Sequence, residues 1–198
     1  ANNPIYFPQI ENFIDNRFVY MAGSSWEEDE KYIAQALKKF PDWCYIIAPH
    51  EIHKERINNL KKNLPSNAVT YSELTAPNFD ISQIQNLNVL IIDTIGILSN
   101  LYRYADIVHI GNGFGKGIHN ILEAAVYGKP IIFGPNYKKF QEAVDLVNLH
   151  GAFSFSNINQ YFDILNNLYN DKSFYNTASE VCKNYIESNV GATNIILK

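Results

Sequence analysis

The sequence predicts an α/β fold arranged as a Rossmann-like, doubly wound parallel sheet. Three observations point there. Short apolar runs alternate with helix-period segments along nearly all of the 198 residues, the pattern of strands joined by helical crossovers. The run at 89–92, Val-Leu-Ile-Ile, is aliphatic throughout, as a strand buried on both faces should be. Glycine and polar residues gather just after the apolar runs, and in open parallel sheets ligands bind beyond the carboxyl ends of the strands.

In chain order, residues 1–16 carry two prolines and no clear period and read as a linker; residues 17–198 read as one domain. Residues 18–22 form a first strand ending at Gly23, and Trp26, Ile33, Leu37 and Phe40 follow at helical spacing. A strand at 45–48 ends at Pro49. Ile57, Leu60 and Leu64 mark a second helix, and 69–71 a short strand. After the strand at 89–92 come a short helix at 97–104 and a strand at 107–110. Ile118, Ile121, Leu122, Ala125 and Val126 suggest one helical face, with Gly128 at the C-terminal cap position and Pro130 beyond it. A strand at 131–133, a helix at 140–149, a short strand at 152–155 and helices at 158–169 and 174–186 complete the chain.

Composition excludes several classes. The hydrophobic share of 46%, with 12 Phe and 13 Tyr, is ample for a core and argues against intrinsic disorder. The net charge is -4 and no basic stripe appears, so nucleic acid is not an expected partner. Cys44 and Cys182 lie far apart in apolar stretches and read as buried free thiols in a reducing, cytoplasmic setting; no Cys/His spacing suggests zinc. No apolar run is long enough to span a bilayer. No Asp-x-Asp pair lies on a loop and no Glu-x-x-His cluster occurs, so neither a metal nor a cofactor is expected.

The strand-end loops carry the candidate chemistry. From Gly111 to Gly117 glycine occupies every second position, and such a loop either cradles phosphate with its backbone N–H groups or simply makes a tight turn. The spacing fits neither the dinucleotide fingerprint nor the ATPase phosphate loop, since no Gly-Lys-Ser/Thr follows. Asn120 and Glu123 lie three apart and so share a helix face; Glu123 can accept two ribose hydroxyls, or it is a first-turn acid serving the helix dipole. Ser25-Trp26-Glu27-Glu28 has the form of a capping box, with Ser24 either free for a ligand or part of the cap. His50, after a strand and Pro49, is a phosphate donor or a structural histidine. His53 and His109 read as structural.

The segment Gly113-Phe-Gly-Lys-Gly-Ile-His-Asn-Ile-Leu-Glu-Ala-Ala-Val-Tyr-Gly-Lys-Pro-Ile-Ile-Phe-Gly-Pro-Asn-Tyr resembles the signature segment of the 3-deoxy-D-manno-octulosonic acid (Kdo) transferases. Ala22-Gly-Ser-Ser-Trp, Ala48-Pro-His-Glu and Ile92-Asp-Thr-Ile-Gly-Ile-Leu-Ser resemble three further blocks of that family, in the same order. The resemblance runs from about Phe18 to the C-terminus. It implies the C-terminal half of a two-domain, GT-B-type glycosyltransferase. That half binds CMP-Kdo, and the reaction transfers Kdo with inversion, without a metal, to a lipid A precursor. The base, the acceptor site and the membrane-facing surface are implied to lie in an N-terminal domain absent from this chain. No catalytic residue is therefore expected here, the chain alone is expected to be inactive, and the setting is the cytoplasmic face of the bacterial inner membrane.

By resemblance, Ser24 and Ser25 fall at the small hydroxyl positions near the phosphate, His50 beside base or phosphate, and Ile95 and Gly96 along the cytosine. Asn120 and Glu123 match the nucleotide-binding helix. Gly113, Gly115, Lys116, Gly117 and His119 complete the expected CMP-Kdo contacts. Two positions depart from the family: Pro49 stands where many members have Arg, and Ile97 where many have Glu. Other readings are a different GT-B-like glycosyltransferase, half of a sugar-nucleotide epimerase, or a stand-alone nucleotide-binding module.

Overall fold

The computed structural model describes residues 5–196, with side chains through residue 189. The chain divides into two compact units, 1–106 and 107–198.

The first unit holds helix α1 (Pro8–Ile14), strand β1 (Val19–Ser25), helix α2 (Glu27–Lys39), strand β2 (Cys44–Pro49), helix α3 (Lys54–Asn63), strand β3 (Ala68–Thr70), helix α4 (Tyr71–Leu74), strand β4 (Val89–Ile91) and helix α5 (Leu98–Leu101). The second holds β5 (Ile107–Ile110), α6 (Leu122–Ala125), β6 (Ile131–Phe133), α7 (Gln141–Asn148), β7 (Ala152–Ser154), α8 (Ile158–Asn170) and α9 (Lys172–Ile196). The strand order is β3-β4-β2-β1 in the first unit and β5-β6-β7 in the second. Within each unit the paired strands run parallel. The Rossmann-like fold class is as the alternation predicts.

β2 and β4 are buried along their whole length, which explains their unbroken apolar sequences. The start of β1 is fixed by Asp106, whose carboxylate accepts from the Val19 N–H at 2.7 Å. Around it, Trp43 stacks on Phe40 with ring centroids 4.1 Å apart and lies 4.6 Å from Phe18. In the second unit His109 is buried in β5, edge-on to Phe155 and tilted against Tyr161, the structural place expected of it. Cys44 and Cys182 are buried free thiols. Burial pushes both thiols up to about 12.

Several sequence expectations are corrected. Within the supposed linker, Pro8–Ile14 is helical, with Pro8 at the helix start and Ile10 and Phe13 buried. β1 does not end at Gly23 but continues to Ser25. Helix α2 is capped differently from the expected Ser25 box: Trp26 is the cap residue, and its N–H donates to the Asp29 carboxylate at 2.9 Å. Glu28 is left to an exposed pair with Lys31. The helix expected from Ile118 onward is only Leu122–Ala125. Ile118, Ile121 and Ala125 are buried as anticipated, but Leu122 and Val126 are exposed.

Gly23 lies against Tyr102: a Cβ there would sit 2.0 Å from its hydroxyl oxygen, and Tyr102 is itself buried. Gly23→Ala is expected to cost about 1–3 kcal/mol, a fall of about 2–4 °C in Tm per kcal/mol for a chain this size. Adding Tyr102→Phe should recover part of that loss in a melting curve.

Candidate functional site

In a parallel sheet the strand ends that matter chemically are the carboxyl ends, and each unit presents its own set of loops there.

In the first unit β1 ends in a bulge. Gly23 pairs with Ala48 and Ser25 with Pro49, so the register shifts across Ser24, which has φ of 53°. Ser24 is half-buried. Ser25, by contrast, is 1% exposed. Its hydroxyl donates to Glu30 Oε1 at 2.9 Å, so its side chain points into the protein, away from the phosphate position the resemblance implied for it. Glu30 in turn accepts from Arg56 Nη2 at 2.5 Å, linking α2 to α3. Burial pushes the Glu30 carboxyl up, Arg56 and Ser25 pull it down, and the net direction is upward. His50 is exposed. Its N–H donates to the Ser25 carbonyl at 3.0 Å, and its ring stacks on Trp26 with centroids 4.8 Å apart. His53 caps α3 by accepting from the Arg56 N–H at 3.2 Å.

The loop after β4 starts from Asp93, which accepts from the Ser72 N–H at 2.9 Å and from the Ser72 hydroxyl. Beyond it Ile95 is 84% exposed. Gly96 has φ of 89° with nothing within 4 Å of a built Cβ, so conformation and not space calls for glycine there.

In the second unit the glycine loop after β5 is strapped to the loop after β6. A Cβ on Gly113 would meet Gly134 N at 2.4 Å. The Gly113 carbonyl accepts from the Asn136 N–H at 2.8 Å, and Asn136 Nδ2 donates to the Gly115 carbonyl at 2.8 Å. Lys139 Nζ donates to the Lys116 carbonyl. Gly115 leaves room for the Asn112 side chain, and Gly117 has φ of 132° beside Lys139 and Phe140. Each of these glycines therefore has a packing or conformational reason of its own, and their number alone does not argue for a ligand. Gly115 and Lys116 are exposed, while Gly113 and Gly117 are buried.

The chain then turns back, with the half-buried His119 donating its N–H to the Gly111 carbonyl at 3.3 Å. Asn120 precedes α6 and does not ride on it. Its Oδ1 accepts from the Leu122 N–H and its Nδ2 donates to Glu123 Oε1, both at 3.0 Å. Glu123, half-buried, has the polar partner its apolar neighbours called for. With only four residues in α6, the dipole role considered for Glu123 has little helix behind it.

Sequence reasoning missed Glu30, Arg56 and Lys139, and gave Asn136 no role beyond its place in a strand-end loop. Glu30 lies three and seven residues before Ile33 and Leu37 on the buried face of α2, and a charge on an apolar face is a readable signal. Among the described residues, no group of three His, Cys, Asp or Glu could hold a metal ion, and no helix is long and apolar enough to cross a membrane.

These loops and strands define a Rossmann-like α/β architecture of the kind found in GT-B folds. It superposes on the C-terminal CMP-Kdo binding domain of WaaA from Acinetobacter baumannii with a TM-score of 0.67 at 22% identity, covering 87% of this chain and 93% of that one. The chain is homologous to the 3-deoxy-D-manno-octulosonic acid transferases, as the motif segment indicated. It is 30% identical to the enzyme of Rickettsia prowazekii over 161 residues, 79% of this chain and 34% of that protein. It is also 27% identical over 190 residues to a bifunctional glycosyltransferase/methyltransferase of Fusobacterium nucleatum, 93% of this chain and 28% of that protein. The chain thus spans about a third or less of the length of these curated relatives. No family model matches the sequence.

Gly113→Ala drives a Cβ into backbone that cannot swing aside, whereas Gly96→Ala meets open space and only the left-handed strain of about 1–2 kcal/mol. Melting curves should show the larger loss for Gly113→Ala, and amide spectra should show its disturbance reaching Asn136.

Proposed function

We propose that this chain binds CMP-Kdo as the donor half of a glycosyltransferase that moves Kdo to a lipid A precursor in lipopolysaccharide synthesis. The observation that carries this reading is the homology to Kdo transferases over 161 residues; a fold shared with a CMP-Kdo binding domain supports it.

The chemistry suits the residues. CMP-Kdo carries one phosphate diester. As an acceptor oxygen bonds to the anomeric carbon, the bond from that carbon to the phosphate oxygen breaks, and CMP departs with one more negative charge. The acceptor's proton passes to a base. The protein's task on the donor side is to hold the nucleotide and meet that charge. In the first unit, Ser24 would meet the phosphate, His50 the base or phosphate, and Ile95 and Gly96 the cytosine. In the second, the loop of Gly113, Gly115, Lys116, Gly117 and His119 would meet phosphate through backbone N–H groups and the Lys116 cation. Asn120 would hold Glu123, whose carboxylate accepts the ribose hydroxyls. No metal is assigned. The base, the lipid A site and the contact with the cytoplasmic face of the inner membrane belong, in this proposal, to an N-terminal domain.

Two measurements test it. The chain alone should bind CMP in preference to UMP and AMP, read by amide NMR shifts, yet transfer no Kdo to a lipid A precursor. General-base help is worth about a hundredfold or more, and positioning the acceptor still more; clear transfer by this chain would defeat the division of labour.

Glu123→Gln keeps the shape and the acceptor for Asn120 while removing the charge. Charge-assisted hydrogen bonds contribute about 1.5–3 kcal/mol, so calorimetric titration should show CMP affinity falling about tenfold to a hundredfold with little change in Tm. Unchanged affinity would take Glu123 out of the site.

A further inference from the structure

We propose that Ser25, Glu30 and Arg56 are positioning residues that hold Ser24 in its left-handed conformation and so aim the one β1 hydroxyl able to reach the donor's phosphate. The geometry within the first unit carries this; the phosphate itself rests on the donor-binding reading above.

Serine does not favour φ of 53°, since its Cβ crowds the following carbonyl there. The conformation persists only where neighbours fix both sides of it. On the near side, Gly23 is packed against Tyr102. On the far side, Ser25 is tied three ways. Its carbonyl accepts from the His50 N–H at 3.0 Å, its backbone pairs with Pro49 after the register shift, and its hydroxyl donates to Glu30 at 2.9 Å. Only that last tie depends on a side chain, and its far end does not yield. Glu30 and Arg56 are 7% and 8% exposed, joined at 2.5 Å, and Arg56 sits on the first turn of a helix capped by His53.

The same arrangement explains why two adjacent serines have different work. Because the hydroxyl of Ser25 is committed inward, the half-buried Ser24 is the serine of the pair left in part open to solvent. Without the inward bond, residues 24 and 25 can relax to regular pairing with β2, and a one-residue slip reverses which side chain faces outward.

The test uses the chain as it stands. A positive φ brings a residue's amide proton close to its own Hα, giving a strong intraresidue Overhauser effect, and this reads Ser24 with no ligand present. Ser25→Ala should lose that effect and weaken CMP binding about tenfold. Ser25→Thr, which keeps the hydroxyl, should restore both. Ser24→Ala should weaken CMP binding to a similar degree, and Ser24→Ala with Ser25→Ala no further, since the second change acts through the first. Should Ser25→Ala not fold, Ser25→Cys takes its place with the same expected outcomes, its thiol being a weak donor.

A Ser25→Ala protein that keeps the Ser24 Overhauser effect overturns the proposal, whatever its Tm. So does an additive loss of affinity in the double variant, which would make Ser25 an independent contact. If the unaltered chain does not bind CMP, the donor reading fails by itself, and the Overhauser effect still decides whether Ser25 holds Ser24.

Discussion

Parallel pairing is the constraint on which everything else in this chain depends. A strand that pairs parallel to its neighbour cannot be reached by a tight turn; the chain must cross over and return. Each crossover lays a helix against the strands, so the strands lose water on both faces and become the unbroken apolar runs of β2 and β4. Within each unit the same geometry collects the carboxyl ends of the strands, and with them that unit's polar and glycine-rich loops. Burial at the strands and chemistry at their ends are two outcomes of one pairing rule.

How much of this was legible follows from where the signals were local. The strands showed as short apolar runs, clearest in β4, which is aliphatic throughout. Helix α1 was missed although Phe7, Ile10 and Phe13 recur every third residue around a Pro8 at the helix start; two prolines in a short stretch looked like a linker, but one of them sits where a helix tolerates it. The length of α6 was misjudged for a different reason. Ile118 and Ile121 are buried without being helical, because Gly117 turns at positive φ and the His119 N–H reaches back to Gly111. Apolar spacing reports burial, and helix only where no such long-range bond intervenes.

The glycine loop and the serine pair show the same limit at the candidate site. The loop glycines looked alike in sequence, yet Gly113 serves a backbone contact, Gly115 a side chain and Gly117 a dihedral angle. The resemblance placed Ser24 and Ser25 together near the phosphate, yet one is half-buried at a bulge and the other is spent on Glu30. The partner that separates them, Arg56, lies 26 positions from Glu30, beyond any local pattern. A buried pair of this kind is weak evidence for stability, since apolar replacements often serve as well. Its better-founded role is to fix one arrangement among several.

The backbone contact between Gly113 and Gly134 has a consequence for how this surface can diversify. Two loops from different strands touch main chain to main chain at these glycines, and Asn136 and Lys139 bind the carbonyls of the first loop from the second. They form a single block. A change of length or hand in either loop has no slack to absorb it, so variation here must come in matched pairs, while the loop bearing Ile95, open around Gly96, is free to vary by itself.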